Sequence, residues 1–266
     1  MASYSNFSQS VQNKHKVNAG EVNEENTVLF KTEGMKDSFD RNLDKWIYFS
    51  SWSRWYPDLF LDLIHPDKGG IVLDLDQRVF LRSTIRFLSV YGVYPRAYGK
   101  TFVEVLSLFL ICLFYPNIEV AMTAQTQANA AKMLKDKYNE IIRYWPILAG
   151  EIYGKPSFNK DTAEIRFNNG SIMNVLANNQ NSKGQRRKRI NIEESALLDN
   201  FTFDDALKPI VDFPRYTIGN LAMVNPEEIS QRINFFTTAG RLPLCVVICI
   251  ENLMNTQSVG RHKYVC

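Results

Sequence analysis

Apolar and polar positions alternate along this chain in blocks of two different periods. Residues 37–65 carry Trp46, Ile47, Phe49, Trp52, Trp55, Tyr56, Leu59, Phe60, Leu63 and Ile64. Their spacing of three and four predicts helices, broken near Pro57. Core packing is the expected role of this aromatic cluster. Ile71-Val72-Leu73 reads as an extended start that runs into a helix from about Asp76. Phe87 to Val93 is short, aromatic-rich and apolar, like a buried strand, whereas Phe102 to Phe114 is too long for a strand and reads as a buried helix. Ile118 to Thr123 reads as a parallel core strand. Residues 125–145 form an amphipathic helix with Ala130, Met133, Leu134, Tyr138, Ile141, Ile142 and Trp145 on one face, and Pro146 stops it. Ala163–Phe167 and Ser171–Val175 flank Asn168-Asn169-Gly170, a β-hairpin pattern with a turn that tolerates positive φ. Ile190-Asn191-Ile192 is a short strand, 203–211 a helix, and Tyr216–Val224 and Ile233–Gly240 are further strands. Strands alternating with helices imply a mainly parallel sheet covered on both faces.

The joint between the first strand and the buried helix is where chemistry enters. Tyr94-Pro95-Arg96-Ala97-Tyr98-Gly99-Lys100-Thr101 reads as a phosphate-binding loop, although Tyr94 stands where the usual first glycine would be. In such a loop backbone N–H groups wrap phosphates, the lysine meets the outer phosphates and the hydroxyl ligates magnesium. An ordinary loop before a helix is the bland alternative. Arg96 could reach a γ-phosphate, or pair with Glu194 when no nucleotide is bound. Glu193-Glu194 follows the strand at 190–192. The two carboxylates either open a helix, where they favour its dipole, or serve the site. In the second case Thr101 and Glu193 hold magnesium, Glu193 through a water, and Glu194 orients the attacking water. Gln77 lies in the first turn of its helix, and its carboxamide matches the N6/N7 edge of adenine. In a parallel sheet ligands sit at the C-terminal ends of the strands, so Thr101, Glu193 and Thr238 are expected to converge on one crevice.

Composition narrows the class. The chain has 266 residues, 45% of them hydrophobic, which suits a globular α/β protein. A net charge of +3 does not by itself argue for nucleic acid. Lys183 to Arg189 holds five basic residues in seven, read either as a solvated loop or as a phosphate-contacting one. Four cysteines without C-x-x-C spacing suggest a reducing compartment, with Cys112 a buried thiol, and His15, His65 and His262 form no metal-ligand pattern. Leu242 to Ile250 is too short to span a bilayer, which needs about 20 residues, and no membrane association is expected. Residues 1–26 are polar throughout and read as a flexible arm.

Together these segments resemble the ATPase portion of the large terminase subunit of tailed double-stranded DNA bacteriophages, over roughly residues 40–240. Gln77 within Leu75–Arg82 looks like the adenine motif. Pro95-Arg96-Ala97-Tyr98-Gly99-Lys100-Thr101 is similar to the family's deviant Walker A, in which an arginine stands three before the glycine and the first glycine is often absent. Ile190–Ala196 looks like Walker B with the catalytic glutamate, and Thr237-Thr238-Ala239 looks like the coupling motif. Two departures stand out: Glu193 replaces the usual Walker B aspartate, and Asn191 interrupts the apolar run. The resemblance implies a RecA-like P-loop NTPase fold with an additional strand, a three-layer αβα sandwich. It implies ATP and Mg²⁺ as ligands, with Glu194, Arg96 and Lys100 catalytic. Expected partners are double-stranded DNA, the portal protein of the procapsid, a small terminase subunit and further copies in a homo-oligomeric ring. The expected location is the host cytoplasm, transiently at the portal vertex. The implied organisation is an arm at 1–26, a helical segment with the adenine motif at 27–86, the ATPase core at 87–240 and an atypical tail at 241–266. The family's nuclease domain is not expected in this chain, which suggests truncation. The alternatives are another DNA-dependent, helicase-like ATPase, or a nucleotide-binding remnant without turnover.

Overall fold

The structure, a computed structural model, describes residues 42–87, 89–160, 162–211 and 232–238. The expected arm at 1–26, the strand at 216–224, Ala239 and the tail at 241–266 lie outside the described residues. The chain divides into two compact units after Arg54. Of the first, the described part is most of helix α1 (Leu43–Trp55), along which Trp46, Phe49 and Trp52 contact one another at the predicted spacing of three.

The second unit contains a six-stranded sheet. Helices α2 (Pro57–Leu63) and α3 (Leu75–Arg86) precede β1 (Ser89–Tyr94), and α4 (Lys100–Phe114) follows it. Then come β2 (Glu119–Ala124), α5 (Gln127–Tyr144), β3 (Glu164–Arg166), β4 (Ile172–Ala177) and β5 (Arg189–Ile192). A composite helix α6 joins Asn200–Thr202, a π turn at Phe203–Leu207 and Lys208–Val211, and β6 (Arg232–Thr238) closes the set. The strand order is β1-β6-β5-β2-β4-β3, parallel except for the β3–β4 hairpin. β6 is thus inserted between the strand that leads into loop 95–99 and the strand that runs into Glu193-Glu194. This is the additional-strand arrangement of the expected P-loop NTPase sandwich.

The central strands are buried on both sides, so their alternate residues serve two different cores. Val90, Val120, Met122, Met173, Val175 and Phe236 face α3, α4 and α5 in the larger core. Ala121, Ile190, Ile192 and Phe235 face Leu198, Phe203, Leu207, Ile210 and Val211 in the smaller one. α4 is the centre of the larger core, with twelve of its fifteen residues buried. At roughly 1.5–3 kcal/mol per buried apolar side chain, this one helix is a main source of the fold's stability. Cys112 is buried within it, as expected.

Two expectations change. The aromatic cluster around Trp55 does not all enter a core: Trp46, Ile47, Trp55, Leu59 and Leu63 are exposed. The rings of Trp55 and Tyr56 instead take the Arg86 guanidinium on their faces at 5.3 and 5.0 Å, and Arg82 lies 5.2 Å from the Tyr56 centroid. Phe60 and Leu61 from the same segment do pack inward, Phe60 edge-on to Phe114 at 5.1 Å. The basic run is the second case. Arg189 is wholly buried at the start of β5. Arg187 donates to Glu119 and Asn174, both at 3.0 Å, and Lys183 pairs with Asp205 at 2.6 Å. Glu119 and Arg189 open their strands, so Arg187 and Arg189 lie at the N-terminal ends of β2 and β5, away from loop 95–99. No described helix is long and apolar enough to cross a membrane.

Candidate nucleotide site

The site is built where β1, β5 and β6 end. After Tyr94 the backbone must turn sharply into α4. Gly99 caps that helix at φ 81°, and Ala97 also adopts the left-handed region at φ 65°. Glycine suits the first position sterically, and a Cβ there would meet Gln77 Nε2 at 3.1 Å. The alanine departs from that preference, and strained residues of this kind concentrate in ligand-binding loops.

The loop is held from the α3 side. Gln77 Oε1 accepts the Asp74 N–H at 3.2 Å, and its Nε2 points at the Tyr98 carbonyl at 3.4 Å. The Tyr98 hydroxyl donates to Asp76 Oδ2 at 2.6 Å, and that bond to a carboxylate pushes its pKa up to about 12. Tyr98 stacks on Tyr94 at 5.3 Å, and Tyr94 lies on Phe80 at 4.9 Å.

From the other side comes the carboxylate strand. Glu193 is 4% exposed, and its Oε1 accepts the Thr101 hydroxyl at 2.8 Å and lies 3.1 Å from Lys100 Nζ. Its Oε2 is buried and accepts from neither Lys100 nor Thr101. Glu194 is exposed and left-handed at φ 52°, and a 3₁₀ turn, Ser195–Leu197, follows. The pair therefore does not open an α-helix. The kink sends one carboxylate into the protein and the other to the solvent side.

A cleft of about 680 Å³ brings together Pro95, Arg96, Ala97, Tyr98, Gly99, Lys100, Thr101, Glu193, Glu194, Thr237 and Thr238. Among the described residues Arg96 makes no ion pair with Glu194. Gln77 does not line the cleft. It stands behind the loop, touching its backbone. A second cleft of about 450 Å³ adjoins it, sharing Pro95 and Tyr98, and is walled by Leu75, Val79, Phe80 and Tyr94.

Glu104 was not anticipated. It is fully buried one turn beyond Thr101, and neither of its oxygens receives a hydrogen bond from a donor. Burial, then the charge of Glu193, pushes its carboxyl well above the usual carboxylate range. A signal was there to read: Glu104 is the one charged residue within the apolar run 102–114.

Thr101 Oγ1 and the Glu193 carboxylate, whose Oε2 no cation among the described residues reaches, supply hard oxygen donors beside loop 95–99. That fits magnesium, which takes few protein ligands and completes its shell with phosphate oxygens and water.

No protein-family model matches the chain, and no curated protein matches it. Solved structures do. The large terminase of bacteriophage HK97 superposes with a TM-score of 0.55 at 14% identity, covering 80% of this chain and 43% of that one. The large terminase of a thermophilic bacteriophage gives 0.51 at 12% identity, covering 68% and 43%. This chain therefore spans less than half the length of either terminase, and it has their fold over the matched part.

Proposed function

We propose that this chain is the ATP-hydrolysing motor portion of a phage large terminase subunit, which drives double-stranded DNA into a procapsid. One observation carries the reading: Lys100 and Thr101 from the loop meet Glu193 from β5 in the same cleft that holds Arg96, Glu194 and Thr238.

The residues divide the work by position. Backbone N–H groups of 96–101 and the N-terminus of α4 receive the phosphates. Lys100 exchanges its contact with Glu193 for phosphate oxygens. Thr101 and Glu193 would hold Mg²⁺, Glu193 through a water. The ion when bound neutralises phosphate charge during transfer. Glu194, solvent-facing, orients the water that attacks the γ-phosphate, and Arg96 reaches the transferring group. Gln77 supports the loop from behind, and reading the adenine edge would require its amide to leave Asp74 and Tyr98. Thr237-Thr238-Ala239 report loss of the γ-phosphate along β6. The resemblance adds the portal protein, a small terminase subunit and a homo-oligomeric ring in the host cytoplasm.

Phosphate release from Mg·ATP by the full chain tests this, beside Lys100→Ala. Turnover in the wild type, reduced about 10³-fold or more in the variant, is the expected result. Nucleotide binding without turnover in either protein would reduce the chain to a binding remnant.

A further inference from the structure

Two asparagines sit where the alternation of their strands should place apolar residues. Ile190-Asn191-Ile192 and Ile233-Asn234-Phe235 lie side by side, and Asn191 is the direct register partner of Asn234. Both are 0% exposed. They face α4, while their apolar neighbours Ile190, Ile192 and Phe235 pack into the smaller core.

Their amides form a one-directional chain. The Val90 N–H on β1 donates to Asn234 Oδ1 at 3.2 Å. Asn234 Nδ2 donates to Asn191 Oδ1 at 3.0 Å. Asn191 Nδ2 donates to the Glu104 carbonyl and to Ser107 Oγ on α4, both at 3.2 Å. Each amide accepts on the β1 side and donates on the α4 side. Turning over either one would set acceptor against acceptor or donor against donor, so the chain has one workable orientation. The four elements it ties together include every one that ends in the cleft. Lys100 and Thr101 begin α4. Glu193 lies two residues beyond Asn191, and Thr237 lies three beyond Asn234.

We infer that Asn191 and Asn234 are positioning residues that lock the strand bearing Thr237-Thr238 to the helix bearing Lys100-Thr101, so that a change at the phosphates is passed to β6 through this ladder. The inference rests on the nucleotide-site reading above. Leucine repeats the branched outline of asparagine, although bulkier, and fills the space without any hydrogen bond. An amide is needed only if the relative height of β6, β5 and α4 must be held by directional bonds.

The test uses the full chain with Asn191→Leu, Asn234→Leu, the double variant and Ser107→Ala. Circular dichroism melting establishes the folded fraction of each. For folded protein, kcat should fall about 10- to 100-fold in the leucine variants with KM within about 3-fold, and the double should be no worse than the worse single. Unchanged kcat per folded molecule, or an effect confined to KM, would overturn the inference. If the leucine variants do not fold, Ser107→Ala decides, with a kcat loss of about 3-fold or more expected and none overturning it. A second readout does not need turnover. Mg·ADP should slow amide hydrogen exchange over 233–238 in the wild type, and this slowing should be lost in Asn191→Leu. Its retention would overturn the inference. Absence of nucleotide binding by the wild type would instead count against the nucleotide-site reading itself.

Discussion

Two clusters of buried charge can be set side by side. Between α2 and α3, Asp58 takes Arg82 at 2.5 and 2.8 Å and Arg78 at 3.5 Å, while Asp62 takes Arg78 at 2.5 and 2.8 Å. Every carboxylate oxygen there has a guanidinium. Burial pushes the Asp58 carboxyl up, but the Arg82 hydrogen bond and charge outweigh it and hold the group below its ordinary value. In the cleft the balance is reversed. Lys100 and Thr101 share one oxygen of Glu193, no cation among the described residues reaches its other oxygen or either oxygen of Glu104, and burial together with Glu193 holds Glu104 high. The first cluster is complete and serves as scaffold. The second is incomplete in the way expected of a site whose remaining partners arrive with a ligand.

Four substitutions would break or sharpen this contrast. The largest effect is expected at Glu194, because its charge faces the solvent side of the cleft. Glu194→Gln should cut turnover about 10³-fold, equivalent to about 4 kcal/mol, with melting temperature unchanged. Asp58→Ala should do the opposite. Leaving Arg82 and Arg78 without their buried partner should cost about 3 kcal/mol in denaturant unfolding, with nucleotide affinity unchanged in the folded protein. A drop in affinity instead would mean the scaffold cluster belongs to the site. The Asp58 carboxyl is lower in the folded state, so its contribution should be present above the unfolded value near 3.9 and be lost as pH falls through the folded one. Arg96→Ala should lower kcat about 10²-fold and leave most nucleotide binding in place, and loss of binding would show that Arg96 acts on the ground state. The smallest effect is on a slope. The native state keeps a proton on Glu104 that the unfolded chain sheds above about pH 4.3, so stability should fall as pH rises from there through the folded value. Glu104→Gln should flatten this dependence in unfolding curves measured across pH, and an unaltered slope would show that the group is ionised in the folded protein.

Much of the scaffold was legible in the sequence, because period and turn chemistry are local. The length of α4, the Asn168–Gly170 hairpin and the short strand before Glu193 all follow from patterns a few residues wide. The turn from strand into helix at Gly99-Lys100-Thr101 was legible from the apolar runs on either side of it. The order of the strands was not, since no local pattern places β6 between β1 and β5. The same limit hid the burial of Arg187 and Arg189. A basic run reads as solvated until Glu119 and Asn174, distant in the chain, are known to face it. Trp55 shows the converse, a large apolar residue kept at the surface by an arginine 31 positions away. Asn191 read as a flaw in an apolar strand because its partner, Asn234, arrives 43 residues later.

That separation has a consequence for how the molecule assembles. β6 has to slot between two strands that come earlier in the chain, pairing in parallel with both, and such distant pairings form late. A sequence of bulky apolar residues alone could enter one residue out of step, exchanging the two faces of the strand. With Asn234 present, a slip of one residue would press its amide into the smaller apolar core and take the donor from Asn191 Oδ1, at about 1–3 kcal/mol for each stranded group. The two asparagines thus act as a key and its ward, admitting the last described strand at one depth only.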